Sequence, residues 1–327
     1  MKILLIRLSS VGDIILVSSI VKFLKQNIPN CKINLLVKNG FEKPALLTGV
    51  DEILTLKVYS SLIRDIDSIN KTINEINNKK YDILIDLHSN FRSFLITFFT
   101  NVKIKSVIKK DILKRRLMVY FKWFFGQFKT VEEKYIETAI DALQKAGINQ
   151  IKKIKEAKTK KIKNIRNIVV HVGAKWELKR WPYFFDLIQK LSKFKKIKLF
   201  ITGIKEEIEK NNELLYIKGR NIVNLIGKTT FEKLDSTIKK SDFFIGTDTA
   251  AAHIARLYKK PALVILGPTV SEFGFIHNKN YLVVERKLAC RPCSLHGGKK
   301  CPIASFECMT EITPDMVIEK IKNIKVK

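Results

Sequence analysis

The sequence predicts an α/β protein of two domains, each built on a parallel sheet, and three observations lead there. At 327 residues the chain is long enough to bury two cores of ordinary size. Short β-rich apolar runs alternate with helix-period segments, which is the rhythm of βα units around a parallel sheet. The alternation is interrupted at residues 150–166, where eight basic side chains face the single acid Glu156 without a strong apolar period. That stretch reads as an interdomain linker and gives domains 1–160 and 161–327.

In the first series the strands are KILLIRL (2–8), KINLLVK (32–38), EILTL (52–56), YDILIDLH (81–88) and IKSVI (104–108). Helical periods fill 14–26 and 61–78, and two more follow at about 112–125 and 132–146. The second series has NIVVHVG (167–173), IKLFITG (197–203), NIVNLIG (221–227), DFFIGTD (242–248), PALVILG (261–267) and YLVVE (281–285). Helices fit between them at about 182–194, 205–216, 231–240 and 249–258, and a last helix opens with Thr313 as cap and Pro314 in its first turn. Gly173, Gly203, Gly227, Gly246 and Gly267 stand at or near strand ends. In open α/β sheets ligands bind beyond the carboxyl ends of strands, where a missing Cβ lets backbone approach a phosphate or sugar. Any one of these glycines fits a tight βα turn equally well, but the repetition points to a nucleotide crevice in the second domain.

Apolar residues make up 46% and charged residues 28%, the balance of a chain that folds throughout. The longest apolar stretches, 94–99 and 117–128, are short or broken by Lys122, well below the roughly 18 residues of a membrane span. The start, MKILLIRLSSVGD, has four apolar residues before Arg7 and no small-residue cleavage site, so a first strand is expected instead of a signal peptide, and with it a cytoplasmic protein. The net charge of +30 implies anionic partners: nucleic acid, an anionic membrane surface or phosphorylated substrates. No helix-turn-helix or RNA-binding signature supports nucleic acid.

Three segments carry chemistry. SSVGD (9–13) puts Gly12 and Asp13 at the carboxyl edge of the first sheet, where Asp13 is either a general base for an acceptor hydroxyl or an ordinary helix N-cap. GAKWELKRWP (173–182) brings Lys175, Lys179 and Arg180 to the start of a helix, whose N–H groups already favour a diphosphate. GTDTAAAHIARLYKKPALVILGPT (246–269) repeats the arrangement: Asp248 and Thr249 suit ribose, sugar or phosphate oxygens, and Ala250, Ala251 and Ala252 allow close backbone approach. His253 reads more readily as a core or supporting histidine than as a catalyst.

These segments, with KILLIRLSSVGDIILVSSI at the amino end and DLHSNFRS at 86–93, resemble glycosyltransferase family 9, the ADP-heptose:lipopolysaccharide heptosyltransferases, in the right order over nearly the whole chain. The resemblance implies a GT-B fold, two Rossmann-like domains with parallel sheets facing across a cleft, acceptor on the first and ADP-heptose on the second. It implies Asp13 as general base, with Ser10, Gly12, Arg92, Lys114, Arg115 and Arg116 on the acceptor side. On the donor side it implies Lys179 at the departing diphosphate, Glu207 at the ribose, Thr229 near the nucleobase, and Gly173, Lys175, Gly203, Asp248, Thr249, Ala250 and His253 around the diphosphate and sugar. Transferases of this kind stabilise the leaving group with side chains and helix dipoles, so no cofactor or essential cation is expected. The acceptor implied is a phosphorylated glycolipid of the lipopolysaccharide inner core, and the expected state is a monomer. One departure stands out: the family places glycine after its Asp-Thr where this chain has Ala250, which leaves open another donor sugar.

Cys290, Cys293, Cys301 and Cys308 form C-x2-C-x7-C-x6-C, a spacing close to zinc ribbons, which reads either as a structural zinc site or as reduced thiols in a compact loop. Residues 101–129 hold nine basic side chains against Asp111, interleaved with Tyr120, Phe121, Trp123, Phe124, Phe125 and Phe128. This stretch fits either an interfacial surface on the inner face of the inner membrane or an amphipathic helix with a solvated basic face.

Overall fold

The computed structural model describes residues 1–122, 128–152, 165–208, 212–274 and 281–322. The chain divides into two compact units, Met1–Lys110 with Lys129–Ala157, and Asp111–Phe128 with Lys158–Lys327.

The first unit is a five-stranded parallel sheet. In chain order it contains β1 (Lys2–Ile6), α1 (Val11–Asn27), β2 (Lys32–Lys38), α2 (Glu42–Leu46), β3 (Glu52–Leu56), α3 (Leu62–Lys79), β4 (Ile83–Asp86), α4 (Phe91–Phe99) and β5 (Ile104–Val107). Helix α5 (Ile112–Tyr120) belongs to the second unit, and α6 (Val131–Lys145) returns to the first. The strand order β3-β2-β1-β4-β5 reverses direction between β1 and β4. Leu4, Ile6, Leu84, Ile69, Ile73 and Ile96 fill one face of the sheet under α3 and α4. On the other side α1 packs on α6. Because every strand is parallel, all the helices that follow strands begin at the same carboxyl edge.

The second unit has β6 (Asn167–His171), α7 (Phe184–Ser192), β7 (Lys198–Thr202), α8 (Glu213–Tyr216), β8 (Ile222–Asn224), α9 (Phe231–Lys240), β9 (Phe243–Thr247), α10 (Ala250–Leu257), β10 (Ala262–Leu266), β11 (Tyr281–Glu285), α11 (Glu307–Thr310) and α12 (Pro314–Lys322). Its parallel sheet, β11-β10-β9-β6-β7-β8, reverses between β6 and β9. The core gathers Ile168, Val170, Leu199, Ile201, Phe243, Leu263 and the fully buried Trp181, whose indole N–H donates to the Ile312 carbonyl at 2.8 Å.

The strands fall within a few residues of the sequence expectation, and the helices differ more: the short α2 and α11 were not expected, and α5 ends at Tyr120. The helix expected over 205–216 is instead a short 3-10 turn, Lys205–Glu207, and α8, because Ile208 drops into the core between them; residues 209–211 lie outside the described set. Helix α7 starts at Phe184, two residues after Pro182, and Lys179 lies in a separate 3-10 turn, Glu177–Lys179. Helix α4 is not marked by the sequence periodicity at all.

The chain was expected to keep residues 1–160 together, but α5 packs with the second unit. Met118, Val119 and Phe128 cluster with Phe273, Arg115 lies over the Phe128 and Phe273 rings, and its guanidinium donates to the Phe273 carbonyl at 2.9 Å. Lys122 Nζ donates to the carbonyls of Cys290 and Pro292 at 2.9 and 2.5 Å. Most of the expected linker, 153–164, and Trp123, Phe124 and Phe125 lie outside the described residues. Among the described residues no helix is long and apolar enough to cross a membrane.

His171, at the end of β6, is buried, and its Nδ1 lies 3.0 Å from Thr202 Oγ1. Burial pushes its imidazole down to about 4. A histidine protonates in the unfolded chain near its ordinary value of about 6.5. The stability this group contributes is therefore complete above about pH 6.5 and is lost as pH falls toward 4. Urea unfolding midpoints followed from pH 7 to pH 4 are expected to fall less steeply in His171→Asn than in the parent chain. Parallel slopes would show that His171 does not carry the acid sensitivity.

Candidate functional site

Each unit gathers polar side chains at the point where its strand order reverses, the position where open α/β sheets hold their ligands. In the first unit these come from the ends of β1 and β4. Asp13 is the third residue of α1 and is not its cap; the cap is Ser10, whose hydroxyl donates to Asp13 Oδ2 at 2.8 Å and whose N–H donates to it at 3.3 Å. The same oxygen pairs with Arg7 Nη2 at 2.6 Å, and the two side chains are 11% and 19% exposed, so the carboxylate keeps an opening to solvent. Arg7 Nη1 donates to the Leu87 carbonyl at 2.7 Å, which ties the pair to the end of β4. Burial pulls the guanidinium down, but Tyr135, Asp13 and Asp86 leave it net above its usual value, and Arg7 remains a fixed cation. Tyr135 donates to the Asp13 carbonyl at 3.3 Å. Gly12 is buried within the first turn of α1.

Asp86 shapes the opposite side of this half-site. It is fully buried, and its Oδ1 accepts the N–H groups of His88 and Ser89 at 2.7 and 2.9 Å. Burial raises its carboxyl above the usual range. Burial, reinforced by Arg7 and Lys110, drives His88 down to about 3, so this imidazole is neutral at ordinary pH; its Nδ1 is buried without a hydrogen-bond partner. Lys110 donates to the Ser89 carbonyl at 3.2 Å. Arg7, His88, Lys110 and Tyr135 were not singled out from the sequence. Arg7 carried a signal there, as a cation between the apolar Ile6 and Leu8 just past the end of β1.

In the second unit Lys179 and Asp248 meet between the ends of β6 and β9. Lys179 Nζ donates to Asp248 Oδ2 at 2.6 Å and to the Asp248 carbonyl at 3.1 Å, and both side chains are nearly enclosed. Burial would raise the Asp248 carboxyl, but the charges of Lys179 and His253 bring it below the usual carboxylate range. Thr249 caps α10, Ala250 is its first residue, and the Thr247 and Thr249 hydroxyls are buried without partners. Unsatisfied hydroxyls beside a helix N-terminus and a buried ammonium make a cradle suited to anionic oxygens. His253 is buried on α10.

Gly173 and Gly203 end β6 and β7, where the backbones pass so closely that a Cβ on Gly173 would lie 2.5 Å from Glu207 Oε2 and 3.5 Å from the Gly203 Cα. Burial raises the Glu207 carboxyl, Arg180 counters it and Glu206 adds to it. Glu207 and Arg180 line a cleft of about 450 Å³ with Val172, Trp181, Lys299 and Phe306. Thr229, farther along the same edge, donates its hydroxyl to the Leu225 carbonyl at 2.5 Å.

Several expected site residues are engaged differently. Lys175 and Arg180 do not sit at a helix start: Lys175 is exposed over the Trp176 ring, and Arg180 Nε donates to the Ala174 carbonyl at 2.9 Å. Arg92 pairs with Asp65 at 2.7 Å, linking α4 to α3. Lys114 and Arg116 are exposed on α5, whereas Arg115 is held by Phe273. The four late cysteines carry free thiols, and among the described residues no three His, Cys, Asp or Glu side chains stand in a group that could hold a metal ion, so the zinc-ribbon reading is not sustained.

Two parallel sheets of this order, each with a polar site at its switch point, fit the GT-B class of fold, which the solved structures with matching folds show. The chain belongs to glycosyltransferase family 9: the family described as glycosyltransferase family 9 (heptosyltransferase) matches residues 69–301. It is 37% identical over 152 residues to lipooligosaccharide heptosyltransferase 2 of Campylobacter jejuni; that match covers 45% of this chain and 47% of the relative, about half its length. It is 25% identical over 298 residues to lipopolysaccharide heptosyltransferase 1 of Campylobacter coli, covering 83% of this chain and 85% of the relative. Among solved structures, the E. coli ADP-heptose lps heptosyltransferase II superposes with a TM-score of 0.71 at 19% identity, covering 99% of this chain and 98% of that one. E. coli heptosyltransferase WaaC with ADP gives 0.72 at 17% identity, covering 99% and 100%.

Proposed function

We propose that this chain is an inverting heptosyltransferase that moves heptose from ADP-heptose to a hydroxyl of a phosphorylated lipopolysaccharide inner-core acceptor, working in the cytoplasm at the inner membrane. The observation that carries the reading is the buried Lys179–Asp248 pair beside the unpartnered Thr247 and Thr249 hydroxyls at the start of α10. In this reading the diphosphate lies against Lys179 and the α10 amides, and the nucleoside lies toward Glu207 and Thr229. Asp13 accepts the proton of the acceptor hydroxyl as its oxygen bonds to the anomeric carbon. The bond from that carbon to the diphosphate oxygen breaks, and ADP leaves with the electron pair. The charge that develops on ADP is met by the Lys179 ammonium and backbone N–H groups, which is the electrostatic stabilisation such a step needs. Relatives named heptosyltransferases over both part and most of the chain support the sugar assignment.

Titration calorimetry against a panel of nucleotide sugars in the presence of a chelator tests this. ADP-heptose is expected to bind more tightly than UDP- or GDP-sugars and to retain its affinity without divalent cations. A clear preference for another nucleotide sugar would favour the second reading, a family 9 transferase with a different donor, for which the methyl of Ala250 at the first position of α10 is the specific ground.

A further inference from the structure

Helices α3 and α4 send isoleucines into the core yet each exposes a second apolar set. Along α4, Ser93, Ile96 and Thr97 face inward, while Phe91, Phe94, Phe98 and Phe99 are 70%, 57%, 64% and 58% exposed. The first turns of α3 repeat the pattern: Asp65 and Ser68 are buried, and Leu62, Ile63 and Ile66 stand 68%, 82% and 44% exposed. On α3 the inward polar groups make local bonds: Ser68 Oγ donates to the Lys57 carbonyl at 2.6 Å, and Asp65 accepts from the Tyr59 N–H at 3.2 Å and from Arg92. With these bonds in place, the first-turn apolar side chains of α3 and the phenylalanines of α4 face outward, while Ile69, Ile73, Ile76 and Ile96 remain in the core. The two helices pack on each other, Phe94 stacks on Phe98 at 5.8 Å between centroids, and Phe99 meets Phe98 edge-on at 5.0 Å. Exposed apolar area gathered in this way marks an interaction surface.

We infer that this α3/α4 face docks the protein on an anionic lipid bilayer. Charge selects that occupant. Residues 91–110 contain Arg92, Lys103, Lys105, Lys109 and Lys110 and no acid, and Arg64 is exposed beside Ile63. The acids on the first turns of α3 are matched by bases, Asp65 by Arg92 and Asp67 by Lys71 at 2.8 Å. Exposed aromatic side chains on a stretch that carries cations and no acid suit the boundary between anionic headgroups and acyl chains. Position suits it too: the N-termini of α3 and α4 lie on the carboxyl edge of the first sheet, the edge that carries Asp13, so docking sets the proposed base close to a lipid-borne hydroxyl. The inference rests on the lipid-borne acceptor of the proposed function. Of the stretch 101–129 it keeps the lysines up to Lys110 and drops the α5 part as the membrane contact, because Met118, Val119 and Phe128 are committed to the Phe273 cluster.

The test is cosedimentation of the full chain with vesicles of phosphatidylcholine and phosphatidylglycerol and with phosphatidylcholine alone. Binding is expected on the anionic vesicles, weakened by salt, and at least about tenfold weaker in the Phe94→Ser/Phe98→Ser variant. An Arg64→Gln/Lys103→Gln/Lys109→Gln variant should flatten the salt dependence. All these side chains are exposed, so melting temperature and ADP affinity should stay at the parent values. Absent binding at low salt, or binding untouched by the phenylalanine pair, overturns the inference. So does ultracentrifugation showing that the pair instead breaks a dimer, which would make the face a contact between copies. Vesicle binding is read without any donor, so a failed nucleotide-sugar assignment leaves this result standing, and a failed docking surface leaves ADP binding intact.

Discussion

Asp13→Asn is expected to lower turnover by at least about a hundredfold, the range in which a positioned general base contributes. The substitution keeps the shape of the side chain and an oxygen that can accept from Ser10, so α1 should still start where it does. It removes the charge that faces Arg7 at 2.6 Å. Arg7 retains its bond to the Leu87 carbonyl but loses its carboxylate, so a measurable drop in melting temperature should accompany the loss of rate. The pH dependence separates the two effects. Transfer by the parent chain should rise along an acid limb as the base deprotonates, and residual transfer by the variant should lack that limb. His88, already neutral with its imidazole near 3, should add no titration of its own between pH 5 and 8. Turnover near the parent value, measured well below the variant's melting temperature, would remove Asp13 from the chemistry and leave it as an α1 residue paired with Arg7.

Much of the scaffold was legible because its signals are local. Short apolar, β-rich runs mark strands, and β2, β3 and β11 fall on the expected residues. The motif segments also landed together, since Lys179 and Asp248 lie beyond two strands that the sheet order places side by side. What sequence could not give was pairing across the chain. That Arg7 would hold Asp13 depends on a guanidinium leaving the end of β1 toward the first turn of α1. That Arg115 would serve Phe273 depends on α5 joining the second unit, against its position in the chain. Helix α4 escaped notice for a different reason: periodicity assigns apolar residues to the inside, and in α4 the phenylalanines face out. The cysteine spacing left zinc and free thiols both open because spacing fixes neither direction nor distance, and among the described residues the four free thiols do not converge as ligands.

The Lys179–Asp248 pair gives the second large effect, and it acts on stability and catalysis together. Lys179→Ala removes the ammonium proposed for the diphosphate, which should weaken ADP binding and reduce turnover by about 10²–10³, the scale for losing one preorganised donor to a leaving group. It also strands Asp248, whose side chain is 9% exposed, without its cation. Breaking a buried pair from one side costs about 3–5 kcal/mol, so the single variant should be clearly less stable. Asp248→Asn added to Lys179→Ala should recover much of that stability without recovering transfer, because the buried charge is gone but the diphosphate still has no ammonium. The sign with pH is distinctive. In the parent chain the Asp248 carboxyl lies below its usual range, so its contribution is present above about pH 4, the ordinary carboxyl value, and is lost as pH falls. Without Lys179, burial dominates and lifts the same carboxyl, so the stability of Lys179→Ala should decline as pH rises through that higher value. Urea midpoints of the single variant should therefore approach those of the parent near pH 5 and diverge at pH 8. A gap that stays constant with pH would mean that Asp248 does not become an uncompensated charge, and parent-like ADP affinity would remove Lys179 from the donor site.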